Sequence, residues 1–170
     1  EAERIFAKSY PAIYSWFRPM RDAMKSRYDQ GHYYWELRAC TYWQQFEHAK
    51  ITSTKVSIRP TFAMETNGCY LGNTSYFFPV ASDALYLVGV LNSILFEAYA
   101  RRVFVDKQNG WYEVQPEGLE AFPIPSASPA ECTALEALVE RVLKMKKEDA
   151  NASVGDLESE IDGLVAHLYG

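Results

Sequence analysis

The fold is decided by residues 33–78, YYWELRACTYWQQFEHAKITSTKVSIRPTFAMETNGCYLGNTSYFF, where short strand patterns alternate with turn residues. The stretch is rich in Tyr, Trp and Phe, and its acids are sparse. Basic residues are interleaved with the rings at Arg38, Lys50, Lys55 and Arg59. Cations between flat rings on short strands suit a surface that meets nucleic acid. A half-buried sheet with aromatic side chains and a solvated outer face explains the same composition, which by itself favours that interpretation.

The strand patterns within this stretch predict a small antiparallel or mixed sheet. Asn67-Gly68 is its strongest hairpin signal, because this dipeptide favours the tight turns that join antiparallel strands. The predicted strands are residues 33–38, 51–58 with a break, 61–65, 69–71 as the return of the hairpin, 75–80 and 111–114, with a short helix over 41–48.

Helical patterns flank the predicted sheet in the sequence. Residues 11–28 carry apolar side chains every three or four positions, and Pro19 predicts a kink or a break in that helix. Residues 83–103 are apolar nearly all round in their first half, which predicts a buried core helix with Ser82 as its N-cap.

The last part of the chain predicts a helical hairpin. Ser128, Pro129 and Glu131 form the pattern of a capping box at the start of its first helix. Ser153 and Asp156 are predicted to cap its second helix. The fold class is therefore predicted to be α+β: a small antiparallel or mixed sheet with flanking helices and a C-terminal helical hairpin.

Two domains are predicted: residues 1–125, and a hairpin over residues 126–170 that packs on them.

The net charge of −5 is divided unevenly between the front and the back of the chain. Residues 1–110 hold 13 Lys and Arg against 10 Asp and Glu, whereas residues 111–170 hold 4 against 12. The front of the chain is thus free to offer a basic face. Its excess charge is modest for a protein that depends on phosphate contacts.

Composition sets further bounds. With 170 residues, 48% of them apolar and 15% aromatic, the chain can bury a sizeable core. Its longest apolar run, residues 84–91, is far short of a membrane span. Cys40, Cys69 and Cys132 are widely spaced and imply no disulfide framework, so we expect a reducing, cytoplasmic setting.

Sequence motifs for catalysis are missing. The chain has no GxSxG, HExxH, P-loop or GxGxxG pattern. His32, His48 and His167 lie in different segments, and no Cys or His has metal-ligand spacing to another. The motifs therefore give no evidence of a catalytic or metal site, and an active site without a metal and without a recognisable motif is the alternative.

Four cations are candidate DNA contacts, and each has an alternative role. Arg38 and Lys50 could each bind a DNA phosphate or the edge of a guanine. They could equally each form a surface ion pair with Glu36 or Glu47. Lys55 and Arg59 lie where a bent strand or a loop could enter a groove, although a solvated strand face is the simpler interpretation.

Amide and aromatic side chains add two further candidates. Asn73 follows a glycine and could bind a base edge, but turn chemistry explains it more simply. Trp35 is a candidate stacking platform, although a core position is the commoner role for such a ring. Asn92 and Ser93 lie in the predicted core helix, where hydrogen bonding to the sheet is favoured.

The order of several motifs resembles a known family. These motifs are Tyr10-Pro11, the helix end Arg21 to Arg27, Tyr34-Trp35-Glu36-Leu37-Arg38, Ala49-Lys50-Ile51, Arg59-Pro60-Thr61-Phe62, Gly68-Cys69-Tyr70, Asn73-Thr74-Ser75-Tyr76, Leu91-Asn92-Ser93 and Phe122-Pro123-Ile124-Pro125. Over residues 8–126 the chain is similar to the TaqI-like C-terminal specificity domain. That domain is the target-recognition part of adenine-specific DNA methyltransferases and of the fused type IIG restriction–modification enzymes.

The resemblance implies that this chain binds double-stranded DNA for a catalytic domain elsewhere. In such enzymes an N-terminal methyltransferase domain of the same polypeptide binds S-adenosylmethionine and carries an Asn-Pro-Pro-Tyr motif, which this chain lacks. We therefore expect no catalytic site or cofactor in this chain, with S-adenosylmethionine, and Mg²⁺ where the enzyme also cleaves, in the parent protein. The alternative is a protein-interaction module that docks through the hairpin of residues 129–169, favoured by its acidity and apolar stripes.

Overall fold

The computed structural model describes residues 1–80 and 83–170, and it divides the chain into two compact units, Glu1–Trp43 and Gln44–Gly170. The class is α+β, with two small antiparallel sheets and flanking helices, so the predicted fold class is confirmed.

Helices build the first unit. They are α1 (Ala2–Ser9), α2 (Pro11–Phe17) and α3 (Arg21–Lys25), and α1 lies in a segment for which the sequence patterns predicted none. A 3-10 turn over Arg18–Met20 separates α2 from α3. The predicted break at Pro19 is thus confirmed, because proline has no N–H to continue the helical hydrogen bonds.

The predicted strand over residues 33–38 is wrong. An isolated bridge between Gln30 and Leu37 is the one strand-like pairing described there. Local hydrogen bonds turn this segment back on itself: the Glu36 N–H donates to the Tyr33 carbonyl at 3.0 Å, and the Tyr33 N–H donates to the Glu36 carboxylate at 2.9 Å. Backbone donors that a strand would offer to a neighbour are thus used within the turn.

The second unit contains both sheets. The larger sheet has the order β3 (Ala63–Glu65), β1 (Lys50–Thr54), β4 (Ser75–Pro79). The smaller sheet has the order β2 (Val56–Ser57), β6 (Tyr112–Glu113), β5 (Val105–Asp106). The predicted break in the strand of residues 51–58 falls at Lys55, between β1 and β2, and the helix predicted over 41–48 is a 3-10 turn at Trp43–Glu47.

The predicted hairpin at Asn67-Gly68 is also wrong, since β3 pairs with β1 and residues 69–71 form no strand. The Glu65 carboxylate takes the backbone donors of this turn: it accepts the Asn67 N–H at 2.6 Å and the Cys69 N–H at 3.0 Å. The loop therefore curls around a carboxylate, and only Gly68 has a positive φ, of 72°.

The predicted single helix over 83–103 consists of two helices, α4 (Ala84–Asn92) and α5 (Ile94–Val103). Ser93 separates them with an extended ψ of 157°, and its Oγ accepts the Phe96 N–H, so this residue is an N-cap and not a contact to the sheet. The cap predicted at Ser82 lies outside the described residues.

Asn92 does connect helix to sheet, as predicted. Its side-chain amide accepts the Phe62 N–H at 3.0 Å and donates to the Phe62 carbonyl at 2.8 Å, directly before β3. A second donor bond goes to the Val88 carbonyl at 2.8 Å.

The C-terminal part comprises α6 (Pro116–Glu120), α7 (Pro129–Glu148) and α8 (Gly155–Tyr169). The capping box of Ser128 and Glu131 at the start of α7 is confirmed. The predicted caps of α8 are wrong, because its N-cap position is Val154 and no side chain caps it.

The core of the second unit lies where α4 meets α7 and α8. These three helices contact one another along their apolar faces, and α4 also contacts β3. The fully buried side chains of this core come from the three helices, from β1 and from α5: Ile51, Val90, Phe96, Leu135 and Val165. Among the described residues, no helix is both long enough and apolar enough to span a bilayer.

Candidate nucleic-acid interface

Trp35 is an internal ring of the first unit. It is stacked with Phe6, at a centroid distance of 4.7 Å and an angle of 10°, and with Tyr33, at 4.8 Å and 12°. Because aromatic neighbours occupy this half-buried ring, the structure favours the packing role of Trp35 over the stacking platform.

Arg38 lies in the same unit and is exposed. The suggested partner Glu36 is engaged elsewhere, since its Oε2 accepts the Tyr33 N–H at 2.9 Å. Within residues 1–80 and 83–170, no hydrogen bond or ion pair occupies the Arg38 guanidinium. This cation remains available to an external anion.

Lys50 has an internal role that the sequence did not reveal. Its side chain is completely buried, and its Nζ donates to the Glu65 carboxylate at 2.5 Å and to the backbone carbonyls of Phe46 and His48 at 2.6 Å and 3.3 Å. All three ammonium hydrogens are thereby used. The hydrogen bond from Lys50 lowers the pKa of Glu65 to about 2. Lys50 is therefore unavailable to DNA in this arrangement.

Lys55 lies between β1 and β2, where the chain passes from the larger sheet to the smaller one, and shares a carboxylate with Lys107. The Lys55 Nζ is 3.2 Å from Glu113 Oε1, and the Lys107 Nζ is 2.6 Å from Glu113 Oε2. The hydrogen bond from Lys107, followed by that from Lys55, lowers the pKa of Glu113, while Glu113 raises the pKa of Lys55. Two ammonium groups around one carboxylate leave one net positive charge, and both lysines are partly exposed.

Arg59 borders a groove of about 1010 Å³ between α5, α7 and α8. Its guanidinium is more than half exposed and is 3.7 Å from Glu158 on α8. Arg101, which also lines the groove, donates to the Ile58 carbonyl at 2.7 Å and pairs with Glu97. The groove thus carries charges of both signs, and its weak Arg59–Glu158 pair is open to competition by a phosphate.

Asn73 is exposed in a tight turn. The Ser75 N–H donates to the Gly72 carbonyl at 3.2 Å and closes the turn. Within the described ranges its side-chain amide has no hydrogen bond to the protein. Both interpretations of Asn73, turn residue and base contact, therefore stand.

A second exposed turn, between β5 and β6, was missed by the sequence interpretation. Asn109 and Gly110 have φ values of 60° and 77°, the pair of positive φ values that a type I′ turn requires. The Trp111 N–H donates to the Gln108 carbonyl at 3.3 Å, and the Lys107 N–H donates to the Trp111 carbonyl at 2.7 Å. The Asn-Gly dipeptide between short apolar segments was the signal that could have revealed this hairpin.

Lys55 links the turn that contains Asn73 to the far end of β6 through the backbone. Its N–H donates to the Thr74 carbonyl at 2.8 Å, next to Asn73, and its carbonyl accepts the Val114 N–H at 2.9 Å, next to β6. The second unit thus brings Lys55, Lys107 and Glu113 together, whereas Arg38 and Trp35 belong to the first unit. In the described part of the chain, no cluster of three His, Cys, Asp or Glu could hold a metal.

An α+β domain with exposed cations and free side-chain amides has the features of a recognition module. The family model of the TaqI-like C-terminal specificity domain matches residues 14–124, from within α2 to the segment before α7. Because the match covers about two thirds of the 170 residues, this chain belongs to that family. The family is a specificity domain and not a catalytic one, with a role in DNA target recognition in restriction–modification enzymes. No curated protein matches the chain.

Proposed function

We propose that this chain reads a short sequence of double-stranded DNA for an adenine-specific methyltransferase, as in the type IIG enzymes in which methylation and cleavage are fused. The observation that carries the proposal is the family match over residues 14–124. The catalytic part would be an N-terminal methyltransferase domain of the same cytoplasmic polypeptide, with S-adenosylmethionine as its cofactor and Mg²⁺ where cleavage occurs.

The distribution of charge supports DNA binding despite a net charge of −5. Acidic residues are concentrated in the C-terminal hairpin, outside the family match. Within the matched segment, exposed cations at Arg38, Lys55, Arg59 and Lys107 are free or held by pairs that water already weakens. Such cations would contact phosphates and set the register of the domain on the duplex.

The proposed division of labour follows from the chemistry. A methyl group can be transferred to an adenine nitrogen only after the base has left the stack. A recognition domain contributes by holding a chosen site beside the catalytic pocket, and differences in binding free energy between sites then decide which adenine is modified.

Selection of duplexes from a random library at two salt concentrations tests this function. We expect enrichment of one short sequence and an affinity that falls steeply with salt. Arg38→Ala and Arg59→Ala should each weaken binding to all sequences, whereas Lys147→Ala, an exposed lysine on α7 outside the family match, is the matched control. If no duplex is enriched and binding is insensitive to salt, the proposal fails.

The alternative of a docking module receives no support from the hairpin itself. Its apolar stripes, which suggested a partner, pack against α4 and against each other. Leu135, Val139, Ile161 and Val165 are buried there. The surface that remains exposed on α7 and α8 is predominantly charged and polar.

A further inference from the structure

We propose that the β5–β6 hairpin is the base-reading element of this domain, and that the side chains of Gln108 and Asn109 at its tip each bind the edge of one adenine in the major groove. The inference rests on the proposed function and goes further by naming the element and the residues that provide specificity.

The shape of the hairpin fits the groove. The major groove of B-DNA is about 12 Å wide and admits a two-stranded β-ribbon. β5 is the edge strand of the smaller sheet, so the hairpin has a partner on one side only. The residues from 105 to 111 are all exposed, including Trp111 with 43% of its surface accessible.

The turn fixes the backbone from which the two amide side chains project. Asn109 has a left-handed backbone, which Asn tolerates better than most residues, and Gly110 continues it without a steric cost. Two backbone hydrogen bonds close the tip around these residues. A rigid tip loses little conformational freedom on binding, which favours its use in recognition.

The side-chain amides at the tip are not consumed by the protein. In the same unit, Asn92 uses its amide for three internal hydrogen bonds. Within residues 1–80 and 83–170, the amides of Gln108 and Asn109 make none. Asn and Gln are the side chains that bind adenine N6 and N7 in a bidentate manner, so each free amide on the ribbon tip matches one adenine better than any other base.

Cations at the base of the hairpin complete the arrangement. Lys107 begins the turn, and Lys55 lies on the neighbouring strand connection, both paired with Glu113. Phosphate contacts position a protein on the duplex, while base contacts specify the sequence. The hairpin thus places phosphate-binding ammonium groups directly behind base-reading amides.

Three variants test the inference by duplex selection with the whole chain. Asn109→Gly keeps the positive φ, and Gln108→Ala removes the second amide. Asn151→Gly, in the exposed turn between α7 and α8, is the matched control. We expect each tip variant to lose roughly 5- to 150-fold discrimination at one base pair of the selected sequence, with affinity for random duplex and the salt slope unchanged. The control should keep the sequence preference of the original chain.

Gln108→Glu gives a second, independent measurement. A carboxylate accepts from cytosine N4 and cannot donate to adenine N7, so the preferred base should change from adenine to cytosine at the position that Gln108 reads. A thermal melt of every variant verifies that the fold is intact.

The outcomes separate the two proposals. If the unsubstituted chain selects no sequence, the proposed function is contradicted. If the unsubstituted chain selects a sequence and both tip variants select the same sequence equally well, the base-reading role is overturned and the proposed function is left intact. Uniform weakening on all sequences with a reduced salt slope would assign the tip to phosphate, and this too overturns the inference.

Discussion

The two sheets of the second unit each hold a lysine–glutamate ion pair, but they use it in opposite ways. In the larger sheet Lys50 is 0% exposed and Glu65 is 14% exposed. In the smaller sheet Lys55 and Lys107 are 39% and 43% exposed around Glu113. The comparison teaches that position in the sheet, not residue type, decides whether a lysine stabilises the fold or remains free to contact a ligand.

The cause lies in the neighbours of each strand. β1 is the central strand of its sheet, and Lys50 at its start reaches the Phe46 and His48 carbonyls as well as Glu65. Lys55 comes five residues later, at the break where the chain leaves that sheet for the smaller one, and its ammonium contacts a single carboxylate.

Replacing Lys50 should have the largest effect on this contrast. Lys50→Ala leaves a mostly buried carboxylate and two carbonyls without their donor, and we expect the free energy of unfolding to fall by about 3 kcal/mol or more. Urea denaturation followed by circular dichroism measures it. Lys55→Ala, the same change in the exposed pair, should barely move the midpoint of urea unfolding. Equal shifts in the two variants would contradict the difference between a stabilising buried lysine and an exposed one.

A smaller change in stability is expected when the pH is lowered, because the buried Lys50–Glu65 pair then loses its charge on Glu65. The folded pKa of Glu65 lies at about 2, below its ordinary value of 4.5. A lowered folded pKa contributes stability that is complete above pH 4.5 and disappears as the pH falls towards 2. The Tm difference between the original chain and Glu65→Gln should therefore be largest near neutral pH and shrink over that interval. A constant difference would mean that Glu65 is not coupled to Lys50 as described.

The exposed pair should control DNA binding and leave stability largely unchanged. In Lys55→Ala/Lys107→Ala, the slope of log affinity against log salt should decrease by about 1 for each lysine, because each releases roughly one counterion. Fluorescence anisotropy with a labelled duplex at several salt concentrations measures it. A slope equal to that of Lys147→Ala would show that these lysines do not contact phosphate.

The smallest expected change is a gain in duplex affinity, whereas the lysine variants should lose affinity. Glu113→Gln removes the carboxylate that competes with phosphate for Lys55 and Lys107. Duplex affinity should rise modestly and the salt slope should steepen in the same anisotropy titration. Weaker binding in this variant would indicate that Glu113 positions the lysines and does not compete for them.

Local patterns predicted those features that depend on nearby residues. The break at Pro19, the capping box of Ser128 and Glu131, and the break at Lys55 all follow from residues within one turn or one strand. The class of the fold likewise followed from strand and helix patterns, which the structure confirms, and the family followed from motif order, which the match over residues 14–124 confirms.

Two Asn-Gly dipeptides show where local reasoning failed. Asn67-Gly68 has the hairpin composition, but the Glu65 carboxylate takes its backbone donors and only the glycine has a positive φ. Asn109-Gly110 forms the real turn because its flanking strands find pairing partners: β6 lies between β5 and β2, which comes some fifty residues earlier in the chain. A dipeptide sets only a local preference, and tertiary pairing overrides it.

The sequence by itself determined the α+β class, the helical hairpin and membership of the specificity-domain family, because periodicity, capping residues and motif order are local or linear properties. Only the tertiary structure decided that Lys50 is internal, that Trp35 is packed between rings, and that the exposed amides lie on the β5–β6 hairpin. Burial and partner choice depend on residues distant in the chain that converge only when the sheets form, so no single stretch of sequence contains that information.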